Sequence, residues 1–246
     1  MALSSGQDKR AAWERLLAEN KLGALALLRN LRNMREAGVD EALVLDALAR
    51  MNPQRVLPFR FLAAAPHAPP WEPVLEKAML KSVGGLPRLP GKTAVLVDVS
   101  GSMAAPLSRR SEMQRSDAAC GLAVLLRETA EKVLVYTFSD ELVEVPPRRG
   151  FALRDAIHAS QSHNGTQMGK AIRELDQQER YDRLLVITDE QAHDSVSAPR
   201  GKGYVINVAS NRHGVGYGKW THIDGFSEAV VEYVRALEQE TGAQAN

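Results

Sequence analysis

The chain has 246 residues, 44% of them hydrophobic and 25% charged, and its 31 Lys and Arg against 30 Asp and Glu leave a formal charge of +1. That composition is globular and long enough for one large domain, or a domain with an appendage. The near balance of charge excludes a global field that would hold nucleic acid or an anionic membrane, so any basic surface must be local.

Residues 9–50 are rich in Ala, Leu, Arg and Glu. Trp13, Leu16 and Leu17, then Leu22, Leu25, Leu27, Leu28 and Leu31, recur at three- and four-residue spacing and predict two or three amphipathic helices. Asp40 is placed to cap a helix through Ala42, Leu43, Leu45, Leu48 and Ala49. Pro53, Pro58, Pro66, Pro69, Pro70 and Pro73 then break the pattern, one more helix is expected from about Trp71 to Val83, and Gly84, Gly85, Pro87, Pro90 and Gly91 mark a linker.

From Lys92 the sequence alternates strands and helices. Strands are expected at Thr93–Val97, Val133–Phe138, Leu184–Thr188 and Tyr204–Val208, with Leu142–Val145 as a hairpin partner reached through Ser139-Asp140. Helices are expected at 112–132, 151–160, 168–177 and 226–240. Such alternation predicts a mainly parallel sheet covered on both faces, a three-layer α/β domain with its ligand outside the carboxyl ends of the strands where their order reverses. The lone Cys120, in Ala118-Ala119-Cys120-Gly121-Leu122, excludes an internal disulfide and a thiolate zinc cluster, and reads as a small core residue. No run approaches the ~18 apolar residues of a membrane span, and no signal-peptide pattern opens the chain. A cytoplasmic monomer without membrane contact is expected.

Asp98-Val99-Ser100-Gly101-Ser102 directly follows the first apolar strand. Thr166 stands in Asn164-Gly165-Thr166 before a helical pattern, and Asp189 closes the apolar run Leu184–Thr188. Alone, Asp-x-Ser-x-Ser is also a polar loop; with Thr166 and Asp189 in matching settings it becomes five hard oxygen donors on three strand-end loops. Three are neutral hydroxyls, which bind a divalent cation without cancelling its charge, and only the two carboxylates supply anions, so a cation held through the hydroxyls with an open position would attract an outside anion. Mg²⁺ suits them, since it prefers octahedral oxygen geometry and retains waters, and Mn²⁺ or Ca²⁺ could substitute. The absence of sulfur and imidazole donors disfavours zinc and copper.

These residues resemble the metal-ion-dependent adhesion site of von Willebrand factor A domains over about residues 91–240. The resemblance implies that Ser100, Ser102 and Thr166 contact the metal while Asp98 and Asp189 often act through water. Two local differences from that family are Asn164-Gly165 before the threonine and Glu190 after Asp189, where glycines are usual. Trp13-Glu14-Arg15-Leu16-Leu17 and Leu25-Ala26-Leu27-Leu28-Arg29-Asn30-Leu31-Arg32-Asn33-Met34 are similar to the last helices of the domain shared by Ro ribonucleoprotein autoantigens and telomerase- and vault-associated (TROVE) proteins, over about residues 1–88, with the A domain at 89–246. That resemblance implies binding of small noncoding, Y-RNA-like RNA and of single-stranded RNA ends by a ring of helical repeats. Only the ring's final helices are covered, as in a cut or naturally short relative.

Arg29, Arg32 and Arg35 recur every three residues on one helix and form a candidate RNA-binding stripe, extended by Lys21; a solvated face paired with Glu19 or Glu36 is the competing reading. Arg109, Arg110 and Arg115, with Arg148-Arg149, are candidates for a phosphate-binding rim beside the cation, against plain solubilising charge. Gly201-Lys202-Gly203 and Gly214-Val215-Gly216-Tyr217-Gly218-Lys219 lack phosphate-loop spacing and read as surface loops. No nucleophile, base and orienting group can be assembled, so a non-enzymatic binding protein is expected. The alternative is a metal-dependent protein-interaction module that grips an acidic residue of a partner without RNA.

Overall fold

The computed structural model describes residues 6–108, 111, 113–209, 218–225, 227 and 229–243. The chain divides into two compact units, Met1–Gly85 and Leu86–Asn246.

The first unit is helical: α1 (Gly6–Ala18), α2 (Ala24–Glu36), α3 (Glu41–Arg50), α4 (Pro58–Ala64) and α5 (Glu72–Val83), with short 3-10 turns between α3 and α5. Asp40 caps α3 as expected, its carboxylate accepting from the Ala42 amide at 2.9 Å. The apolar spacing of α2 buries Leu27, Leu28, Leu31 and Met34, and α2 lies against α4, which also contacts α5. Helix α4 was not expected among the prolines. Pro58 occupies its first turn, where an amide would have no intrahelical partner and the fixed φ of proline suits the helix.

The second unit is a six-stranded sheet of β1 (Leu89–Asp98), β2 (Ala130–Phe138), β3 (Leu142–Glu144), β4 (Arg183–Thr188), β5 (Lys202–Asn207) and β6 (Trp220–Asp224), with helices α6 (Arg115–Thr129), α7 (Gly150–His158), α8 (Met168–Gln178) and α9 (Ala229–Ala243). The order is β3-β2-β1-β4-β5-β6, parallel except for the β2–β3 hairpin. The expected α/β architecture is therefore the one observed, with the antiparallel strand where Ser139-Asp140 predicted a hairpin.

Alternation along β1 sends Ala94 and Leu96 into a core with Phe138, Ile172, Leu175 and Val186, so α8 covers that face. Helix α6 lies against β1, β2 and β4 and carries α7. Its buried run from Ala118 to Leu126 includes Cys120, whose Sγ lies 3.6 Å from Nε2 of His158. Burial pushes the Cys120 thiol well above its ordinary range, which leaves it neutral. Beneath the sheet, Arg183, 2% exposed, donates to Glu238 of α9 at 2.7 and 2.6 Å, to the Pro90 carbonyl at 2.7 Å and to the Thr93 hydroxyl at 2.9 Å.

The chain runs outward from β1 to β2 and β3, then crosses back to place β4 on the other side of β1. The order thus reverses between β1 and β4, and their carboxyl ends open a crevice at that switch point. Asp98 ends β1 and Asp189 follows β4 directly.

Candidate metal centre

Both carboxylates of the predicted site are fully buried, Asp98 and Asp189 each at 0% exposure, and Ser100 and Thr166 are nearly so. Burying two anions side by side is costly unless they are hydrogen-bonded and charge-compensated. Asp98 accepts from the Ser100 amide at 2.9 Å and from the Thr188 hydroxyl at 2.6 Å, which ties the end of β1 to the end of β4. Ser100 and Ser102 share a hydroxyl contact of 3.2 Å. Burial dominates the acidity of Asp98 and pushes its pKa up to about 6; the negative charge of Asp189 adds to the rise, while hydrogen bonds from Ser100 and Thr188 oppose it.

The loop carrying Thr166 is tied to both neighbours. The His193 amide donates to the Thr166 carbonyl at 3.0 Å, joining the segment after Asp189. The His163 ring sits between the carbonyls of Val99, 2.5 Å from Nδ1, and His158, 3.1 Å from Nε2. The Ser139 hydroxyl donates to the Gly165 carbonyl at 2.9 Å, and the Gly165 amide to Asp140 at 3.1 Å. A Cβ on Gly165 would run into that Asp140 carboxylate. A side chain at this position would therefore displace the Asp140 carboxylate and its hydrogen bond to the loop.

The structure brings the strand-end loops of Asp98, Ser100, Ser102, Thr166 and Asp189 together, and shows two features that the sequence did not reveal. First, Arg115, the first residue of α6, is turned into the site. Its Nη1 donates to Asp189 at 2.5 Å and to the Ser102 carbonyl at 3.4 Å, and its side chain is only 18% exposed. Read from sequence as a rim residue, it is an internal counter-charge of Asp189. Second, Glu190 adopts φ 59°, the left-handed region that glycine favours. A non-glycine there costs on the order of 1–2 kcal/mol. It is held by its amide donating to the Thr188 hydroxyl at 3.0 Å and its carboxylate lying 3.2 Å from His222 of β6.

Of the remaining candidates, Arg29, Arg32 and Arg35 are exposed on α2 of the helical unit, whereas Arg109 and Arg110 lie outside the described residues. Arg149 is paired with Glu128 of α6. Lys202 and Gly203, expected in a loop, open β5; Gly203 lies so close to Pro199 and the Trp220 ring that a side chain would not fit. Among the described residues no group of three or more His, Cys, Asp or Glu is placed to hold a metal, so a cation here must rely on hydroxyls as well as on the two carboxylates.

The profile of the TROVE domain matches residues 1–166. The chain belongs to the TROVE family. The match runs through the helical unit into the sheet unit, taking in Asp98, Ser100, Ser102 and, as its last residue, Thr166. At family level the TROVE role is RNA binding. The crystal structure of the Ro (RSR) protein of Deinococcus radiodurans is similar with a TM-score of 0.67 at 18% identity, over 94% of this chain and 61% of that one. This TROVE chain thus has the Ro fold and spans 61% of the length of that protein. Two further structures resemble it at lower scores. An aerotolerance-related membrane protein of Bacteroides fragilis has TM-score 0.41 and 16% identity over 62% of this chain and 98% of that one. BatB of Bacteroides thetaiotaomicron has TM-score 0.38 and 17% identity over 63% and 98%. No curated protein matches. Among the described residues no helix is long and apolar enough to cross a membrane.

Proposed function

We propose that this TROVE chain is a non-enzymatic, RNA-associated binding protein whose sheet unit holds a divalent cation and uses it to capture an acidic or other anionic ligand. The observation that supports the reading is that the loops bearing the two fully buried carboxylates, Ser100, Ser102 and Thr166 are hydrogen-bonded to one another at the β1/β4 switch point. The donor set fits a hard cation: oxygen only, three neutral and two anionic, with Asp98 buried at a position where Arg115 neutralises its neighbour Asp189 instead. Asp98, Ser100, Ser102, Thr166 and Asp189 would hold Mg²⁺, or Mn²⁺ or Ca²⁺, and the bound ion would offer an open position to an outside carboxylate or phosphate.

The chain's own residues do the rest. Thr188 and the Ser100 amide orient Asp98, Arg115 orients Asp189, and the His163 and His193 contacts keep the Thr166 loop against both. No general base lies beside Ser102 among these contacts, which favours capture over turnover. The RNA partner is proposed from family membership: a noncoding RNA or a single-stranded end, met in the cytoplasm.

The reading is tested by fluorescence anisotropy with a hairpin RNA bearing a single-stranded 3′ tail, in Mg²⁺ and in chelator, at two salt concentrations. Salt-sensitive binding supports the RNA role, and its weakening in chelator links the metal to it. Absence of binding in every condition refutes the RNA role of this chain and leaves a metal-dependent protein-interaction module.

A further inference from the structure

Arg115 is the part of the centre that a cation site does not need. Its Nη1 lies 2.5 Å from Asp189 and 3.4 Å from the Ser102 carbonyl, so a like charge stands beside the loops that would hold a divalent ion. Neutral donors suffice for a buried aspartate in this fold. Among the described residues Asp98, equally buried, is held by the Ser100 amide and the Thr188 hydroxyl, and the Gln191 side-chain amide already donates to Asp189 at 3.1 Å. Helix energetics do not call for the arginine either. It is the first residue of α6, behind a capping box of Gln114 and Asp117, at the positive end of the helix dipole where acidic side chains are favoured and cations are not. Its Nε is also buried and meets no hydrogen-bond acceptor among the described residues, which costs the folded chain free energy.

Charge gives the residue a purpose. Asp98 and Asp189 with the Arg115 guanidinium carry one net negative charge, while the next carboxylate, Glu190, turns to His222 of β6. A divalent cation would take that centre to one net positive charge, and a single negative charge from outside would return it to neutrality. Without the guanidinium the cation alone would reach neutrality, and the outside anion would overshoot it. Because a buried site screens charge weakly, an unbalanced charge there is costly. The arginine therefore shifts the balanced state from a centre holding a cation alone to a centre holding a cation and an anion together.

We propose that Arg115 makes the two ligands of the centre conditional on each other: it weakens the cation bound alone and favours it once an outside group with a single negative charge is captured. A carboxylate has that charge, whereas a doubly charged anion would overshoot. By linkage the cation tightens the anion by the same factor as the anion tightens the cation. The proposal rests on the cation reading given above and adds to it the residue that regulates the site and the charge of the group it takes.

The test is titration calorimetry of Mg²⁺ into the whole chain and into R115M, R115Q and R115K, in acetate, in sulfate and in the neutral isostere acetamide, at matched ionic strength and with affinities referred to free Mg²⁺. A thermal midpoint verifies that each variant is folded at the assay temperature, and the R115Q amide can still donate to Asp189, so the uncharged arm does not depend on R115M alone. The parent should bind Mg²⁺ about tenfold or more tighter in acetate than in acetamide. In acetamide R115M and R115Q should bind Mg²⁺ about tenfold tighter than the parent, and acetate should improve them less than ~3-fold. R115K keeps the charge and should keep the coupling. Equal Mg²⁺ affinity of the parent and both neutral variants in acetamide, or an acetate gain that survives in them, overturns the role of Arg115 while leaving the cation site intact. Coupling lost in R115K as fully as in R115M overturns charge as its basis, and sulfate tightening the parent as much as acetate overturns the single charge of the ligand. If no protein binds Mg²⁺ in any condition, the cation site itself is refuted and the coupling falls with it.

Discussion

Replacing Arg115 with methionine removes the counter-charge of Asp189 while retaining most of the side chain's apolar stem. Breaking a buried pair by deleting one partner costs ~3–5 kcal/mol, because the other charge remains buried and unpaired. Asp189 is 0% exposed and Arg115 is 18% exposed in its side chain, so partial solvation of the guanidinium places the cost at the lower end, about 3 kcal/mol. The Gln191 amide, 3.1 Å from the same carboxylate oxygen, softens the loss but carries no charge. For a domain of ~150–250 residues each kcal/mol moves the midpoint by ~2–4 °C, so R115M in chelator should melt roughly 6–12 °C below the parent. The assay is differential scanning fluorimetry of both proteins in chelator and across a Mg²⁺ titration. If a cation binds where the guanidinium now neutralises Asp189, Mg²⁺ should raise the midpoint of R115M more than that of the parent. An R115M midpoint within 1 °C of the parent in chelator would refute the counter-charge role.

Other expectations follow from the same contacts. Thr188→Val removes the hydroxyl that donates to Asp98 at 2.6 Å and should cost ~1.5–3 kcal/mol in chelator, as for hydrogen bonds to charged groups, read by urea unfolding. Gly165→Ala sets a Cβ against Asp140 and should weaken Mg²⁺ binding in calorimetry through displacement of the Thr166 loop; an unchanged affinity would show that the loop yields freely. Burial raises the pKa of Glu238, but hydrogen bonds and charge from Arg183, with Lys202, outweigh it and hold the carboxyl below its ordinary value. Its stabilising contribution is therefore full above the unfolded-state pKa and is lost as pH falls through the lower folded-state value. Glu238→Gln should flatten stability against pH on the acid side, and a parent-like acid limb in the variant would contradict the assignment.

The parts of the fold that were legible are those where hydrophobic pattern and turn chemistry agree. Thr93–Val97 and Leu184–Thr188 are continuous apolar runs, as buried parallel strands should be, and Asp40 has the residue type and position of a cap. Pro58 was misleading because proline stops a helix in its interior but starts one at its first turn. Pro90 and Gly91 read as linker, yet β1 begins at Leu89; Gly91 at φ 76° and a register shift before Lys92 accommodate them. Strand β6 was missed since it is an edge strand of five residues in which only Trp220 is buried. At the candidate centre the positions of Asp98, Ser100, Thr166 and Asp189 could be read from sequence because each sits at a strand end or before a helix start. Arg115 could not be assigned, since its direction depends on how α6 is laid across β1 and β4.

The central claim is that the buried carboxylates and hydroxyls at the switch point bind a divalent cation. Titration calorimetry of Mg²⁺ into the chelator-treated chain and into D98A tests it most directly. The account predicts saturable binding of one equivalent by the parent and none by D98A, with D98A still folded by circular dichroism. Equal isotherms for the two proteins, or no heat of binding in the parent, would contradict it.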